Sequence, residues 1–194
     1  MNRKRIAIHE AGHLVMALIL DLQVLGCDIS RKKARYPGEL GKCMVFDPDP
    51  VGIRKFLLAM GGIMAEDHFF SDDHGGIKDR RDAFELLRRY LNHYNRMPRY
   101  DSLKPVLEEA SGLFYSDPAL EIVEETALIL VQNISIGPLE IEPFRERIRN
   151  LINNSKLLEM IEELTEPETP LDWKTVGLDL LDRGRELLRK IREL

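Results

Sequence analysis

Two histidines and a glutamate stand inside an otherwise apolar run, "RIAIHEAGHLVMALIL", from Arg5 to Leu20. The run has no proline and is rich in good helix formers, so it predicts a helix of about four turns over Ile6 to Leu20. Such a helix is apolar on nearly every side and belongs in an interior rather than on a surface. A buried imidazole or carboxylate costs free energy unless something satisfies it. Either the fold supplies partners for His9, Glu10 and His13, or a metal ion sits on them.

His9-Glu10-Ala11-Gly12-His13 is an H-E-x-x-H sequence. Residues four apart lie one turn apart on the same helix face. Both imidazoles can therefore reach one zinc ion at about 2.0–2.1 Å. Glu10 is rotated about 100° from His9 and about 60° from His13, so it flanks the pair and can reach over the metal. A metal lowers the pKa of water from about 15.7 towards about 7, and Glu10 can take the proton released. The protonated glutamate can then assist a departing amine. Gly12 removes a side chain beside the histidines, where a substrate or a strand could pass.

A catalytic zinc needs a third protein ligand. The extended pattern H-E-x-x-H-x-x-G-x-x-H fails, because Met16 and Ile19 occupy its glycine and histidine positions. Downstream candidates are Glu66, His68, Asp72, Asp73, His74, Asp79 and Asp82, and spacing alone does not choose among them. Asp79 opens a helix after a glycine-rich loop, where an acidic residue also suits the helix dipole.

After the first helix the period changes. Val24 to Ser30 and Leu40 to Phe46 read as two strands joined by the charged loop "RKKARYPG", Arg31 to Gly38, an antiparallel hairpin that must pack on the first helix. Cys27 and Cys43 fall on these strands and could sit opposite each other, as two reduced thiols. Val51 to Phe70 reads as a helix whose paired Gly61 and Gly62 let another helix approach closely. Ile77 to Tyr94 is strongly amphipathic. Pro105 to Phe114, Pro118 to Asn133, Glu142 to Asn153, Lys156 to Leu164 and Thr175 to Leu194 are further helices. The expected fold class is mainly α (α+β), with one small β-hairpin beside the HExxH helix and helices towards the C-terminus. Residues 1–97 would form the core, and 98–194 a helical part packed on it as one continuous domain.

Composition removes several alternatives. A formal net charge of -5 leaves no basic footprint for nucleic acid. Two cysteines are too few for a disulfide framework. The basic start, Met1 to Arg5, followed by an apolar run is not expected to be a signal peptide, since His9, Glu10 and His13 interrupt the run and no small-residue cleavage site follows. Nor is there a run of about 18 apolar residues that could span a bilayer. The expectation is a soluble cytoplasmic protein without a membrane partner.

Two segments of the chain resemble the FtsH-type zinc peptidases, the proteolytic half of membrane-anchored AAA+ proteases. "IAIHEAGHLV" is similar to that family's His-Glu-Ala-Gly-His helix. "GGIMAEDHFFSDDHGGIKDRRDAFELLRRY", Gly61 to Tyr90, is similar to its Gly-Gly helix, its short glycine loop and the aspartate-bearing helix after them. The likeness is close over roughly the first 95 residues and looser beyond, where Leu157 to Val176 is weakly similar to the family's helical tail. The resemblance implies that His9, His13 and Asp79 bind Zn2+ and that Glu10 is the general base. It also implies that the strand carrying Lys42, Met44 and Val45 offers its edge to an extended peptide. The chain departs from the family at Lys78, normally asparagine, and at Asp73 and His74, normally hydroxyl residues. No G-x-x-x-x-G-K-[ST] occurs in these residues, so the expectation is a peptidase half without its ATPase. The implied activity is that of a zinc metalloendopeptidase cutting peptides or unfolded proteins, alone or fed by a separate ATPase. The resemblance also implies homo-oligomeric rings, although much of that assembly depends on the missing half. The rival expectation is an inactive descendant, a metal-binding or adaptor protein that keeps the fold.

Overall fold

The computed structural model describes residues 3–30, 41–46, 52–70, 77–93 and 100–165, and their side chains except those of 77–79, 90–93, 100–102 and 165. The apolar run forms α1, Arg3–Ile19, which is buried continuously from Ile6 to Gly12 and again from Leu14 to Ile19. The expected all-round burial follows from what surrounds it. Antiparallel strands β1, Gln23–Asp28, and β2, Lys42–Phe46, pack on α1, as does α2, Ile53–Phe69. The amphipathic α3, Ile77–His93, lies against α2 and buries Ala83 and Leu87, one turn apart.

Beyond these lie α4, Tyr100–Phe114, and α5, Asp117–Asn133, which lays Ala119, Ile122, Val123 and Leu130 into the core beside α1. The short strand β3, Ser135–Ile136, leads into α6, Pro138–Asn153, and then α7, Leu157–Thr165. One apolar core runs from Ile6 on α1 to Ile161 on α7. The expected boundary after residue 97, the glycine-rich loop over residues 71–76 and the last helix from Thr175 lie outside the described residues. Among the described residues no helix is long and apolar enough to cross a membrane.

Three details correct the expectations. The hairpin is part of a three-stranded antiparallel sheet of order β2-β1-β3, because Cys27 and Asp28 also pair with Ile136 and Ser135. A two-residue strand carries no periodic signal of its own. At the crowded centre of the sheet Gly26 adopts φ +142°, where β1 is bulged, and a methyl there would stand 2.8 Å from the Ile136 carbonyl oxygen. The helices expected to start at Pro105 and Glu142 start earlier, at Tyr100 and Pro138, with Pro105 and Pro143 inside them. In α6 the earlier start is fixed by Glu140, whose Oε2 accepts the Gly137 N–H at 2.8 Å, and by Pro138 in the first turn.

Gly12 serves a different neighbour from the one expected. It faces helix α2, where a methyl would overlap the Gly61 carbonyl oxygen and approach Ala65 Cβ to 2.6 Å. A methyl at Gly61 would in turn meet Met16 Cβ at 2.6 Å. The two backbones therefore cross at near contact, as expected for the glycine pair of α2. This crossing sets the distance between the histidine helix and the helix that supports it.

Candidate metal centre

His9 and His13 point to one spot beside α2. Their Nε2 atoms are 3.0 Å apart and their rings are nearly perpendicular, with an interplanar angle of 85°. Gly62 provides the room, since a methyl there would lie 2.6 Å from His13 Nε2 and 2.7 Å from His9 Cε1. So the two glycines of α2 divide the work: Gly61 admits the helix and Gly62 admits the imidazoles.

The far side of each ring is anchored. His13 Nδ1 lies 2.8 Å from the Leu58 carbonyl oxygen. A carbonyl only accepts, so Nδ1 carries the hydrogen and a neutral His13 presents a lone pair at Nε2. His9 Nδ1 lies 2.8 Å from Glu66 Oε1. The second carboxylate oxygen, Oε2, accepts the Arg5 Nε–H at 2.7 Å. Burial pushes the Glu66 carboxyl up, but hydrogen bonds from His9 and Arg5 prevail and hold it below its ordinary range. Glu66 is therefore ionised at neutral pH and accepts from His9, which in its neutral form then presents the Nε2 lone pair. Arg5 is held in turn over the Phe70 ring, 5.0 Å from its centroid.

With both rings neutral in these tautomers, the two lone pairs would face each other across 3.0 Å and repel unless a cation lay between them. A shared proton would do, and so would a metal ion. The donor set fits zinc: two neutral imidazoles, each with its Nδ1–H given to a carboxylate or a backbone carbonyl, is the support that metal-binding histidines ordinarily have. Two nitrogens on a tetrahedral zinc stand about 3.3 Å apart, so the pair has only to open by a few tenths of an ångström.

Glu10, 6% exposed, is packed between α1 and the start of β2. A methyl on Gly41 would lie 2.6 Å from both Glu10 Cγ and Oε1. The main chain of Glu10 meets the sheet as well, its carbonyl accepting the Cys27 thiol at 3.8 Å. Sheet and histidine helix thus meet at the glutamate of the motif.

The remaining candidates divide clearly. Glu66 stands behind His9, at Nδ1 rather than at the converging nitrogens, and so is a support and not a third donor beside them. His68 is exposed and lies near the Phe69 and Tyr115 rings, while Asp82 lies on the exposed side of α3 beside Arg81. Asp72, Asp73 and His74 lie outside the described residues. The backbone of Asp79 lies in the first turn of α3, and its side chain is outside the described set. The next residue, Arg80, pairs at 3.1 Å with Asp67, the neighbour of Glu66 in sequence. Among the described residues no third histidine, cysteine, aspartate or glutamate joins the pair.

Lys42, Met44 and Val45 lie on β2, opposite Asp28, Gly26 and Val24 respectively. That strand is an outer member of the sheet, and its second edge pairs with no other described strand. Sequence reasoning overlooked Arg5 and Leu58. Arg5 looks like part of a basic start, and a backbone carbonyl leaves no trace in a residue pattern.

Comparison with protein-family models, with curated proteins and with solved structures gives no match.

Proposed function

We propose that this chain is a zinc-dependent peptidase of the FtsH type that hydrolyses peptides or unfolded chains. The observation that carries the proposal is the convergence of His9 Nε2 and His13 Nε2 at 3.0 Å with both Nδ1 atoms already committed. His9, His13 and Asp79 would hold the ion. A bound divalent cation supplies Lewis acidity and makes water acidic enough to ionise near neutral pH.

The chain's own residues supply the rest. Glu66 and the Leu58 carbonyl fix the ring orientations and, in the neutral imidazoles, the tautomer that turns the Nε2 lone pairs to the site. Glu10 takes a proton from the attacking water on a carboxylate oxygen and delivers it to the departing amine nitrogen. The edge of β2 that pairs with no other described strand, with Lys42, Met44 and Val45, receives the peptide as an added strand.

The test is Glu10→Gln, assayed for metal content and for cleavage of an unstructured peptide. The proposal expects metal retained and cleavage abolished. Equal cleavage by the variant would reject the role of Glu10. Metal bound without cleavage in the unsubstituted chain would favour the inactive metal-binding or adaptor descendant.

A further inference from the structure

Cys27 and Cys43 are register partners on β1 and β2. Directly opposed residues of an antiparallel pair have Cα atoms about 4.5 or 5.5 Å apart, depending on the hydrogen-bonding position. Both values fall within the range of about 4.4–6.8 Å that a disulfide spans. Both side chains leave the same face of the sheet, and Cys27 Sγ touches the Glu10 carbonyl on α1. The two thiols differ in access: Cys27 is 1% exposed and Cys43 is half-buried.

We propose that Cys27 and Cys43 form a reversible cross-strand disulfide that clamps β2 onto β1 beside Glu10. The proposal needs no metal and stands apart from the peptidase reading. The oxidant is a small-molecule disulfide such as oxidised glutathione. Cys43, the accessible thiol, loses its proton and attacks one sulfur of the oxidant, releasing one small thiol and forming a mixed disulfide. Cys27 then attacks the Cys43 sulfur, its proton passing to the second small thiol as that group leaves. Two protein thiols and one small disulfide become one protein disulfide and two small thiols.

The order follows from environment. Burial pushes the Cys27 thiol well above its ordinary pKa, and contact with Cys43 and the charge of Glu10 push the same way. Cys27 is therefore the resolving thiol and not the entry point. The bond would tie down β2, the strand that follows Gly41, and Gly41 is the residue packed on the Glu10 side chain. Closing a loop of about 15 residues also constrains the unfolded chain.

The experiment treats the full chain with oxidised glutathione and maps its peptides by mass. The expected product lacks two hydrogens, links the Cys27 and Cys43 peptides, reverts with dithiothreitol and melts roughly 5–10 °C higher. Cys27→Ala should stop at one glutathione on Cys43. Cys43→Ser, which leaves the buried thiol alone, should not react while folded. A stable glutathione adduct on Cys43 of the unsubstituted chain, dimers linked through Cys43, or no reaction of the folded chain would overturn the pairing. A disulfide that left the melting temperature unchanged would overturn the clamp.

Discussion

Glu66 accepts the Nδ1–H of His9 at 2.8 Å, across 57 positions of sequence, and so joins the motif helix to the helix packed on it. The same carboxylate accepts the Arg5 Nε–H on its other oxygen. Two cationic or proton-donating groups of α1 thus share one buried acceptor of α2, and the acceptor decides which nitrogen of His9 faces the site.

Glu66→Gln keeps the shape and one acceptor oxygen but removes the charge. Loss of such a support ordinarily lowers metal affinity by about 10–100-fold. We expect that range in a zinc titration against a competing chelator, with the fold retained. Unchanged affinity would show that the contact is packing alone. Glu66→Ala is the harsher change. It removes the buried carboxylate that Arg5 and His9 share and should cost up to about 3–5 kcal/mol of stability.

The helix crossing should be equally sensitive. Gly12→Ala places a methyl against the Gly61 carbonyl, where backbone cannot yield cheaply. We expect a loss of about 1–3 kcal/mol or more by denaturant unfolding, in spite of alanine's better helix propensity. A stabilised Gly12→Ala protein would contradict the close approach.

Gly41→Ala tests the contact between β2 and the motif glutamate. The added methyl would crowd Glu10 Cγ and Oε1 without touching the histidines' Nδ1 partners. On the peptidase reading, peptide cleavage should fall by about tenfold or more while metal content stays the same. Equal loss of metal and activity would mean that the substitution disturbs the whole site.

Ile134 is a β-branched residue at φ 72° and ψ -32°, at the C-cap of α5, and is 42% exposed. That backbone region is strained for any residue with a Cβ and most of all for a branched one. Its N–H bonds the Leu130 carbonyl, and its own carbonyl accepts the Ile29 N–H at 2.8 Å, which hold it there. Ile134→Gly should raise stability by about 0.5–1 kcal/mol, the strain relieved outweighing the extra freedom of the unfolded chain. A lower melting temperature would show that the side chain's packing matters more.

Much of this was legible in the residues, for identifiable reasons. The apolar run around His9 could only be a buried helix, and the alternation around Cys27 and Cys43 placed two strands whose cysteines do face each other. The Gly61-Gly62 pair announced a close approach but not its partner, because Gly12 looked equally suited to passing a strand. The supports of the imidazoles were hidden. Glu66 was one of several acidic candidates, and only the fold shows that it meets His9 from behind. Leu58 contributes a carbonyl, which no side-chain pattern encodes. β3 was missed because Ser135 and Ile136 form a strand only through β1.

The most direct test of the central claim is the zinc content of the chain purified without chelator, measured beside His13→Ala. The account predicts about one zinc per unsubstituted chain and none in the variant. No zinc in the unsubstituted chain, and none taken up when it is offered, would contradict it and leave the converging nitrogens sharing a proton.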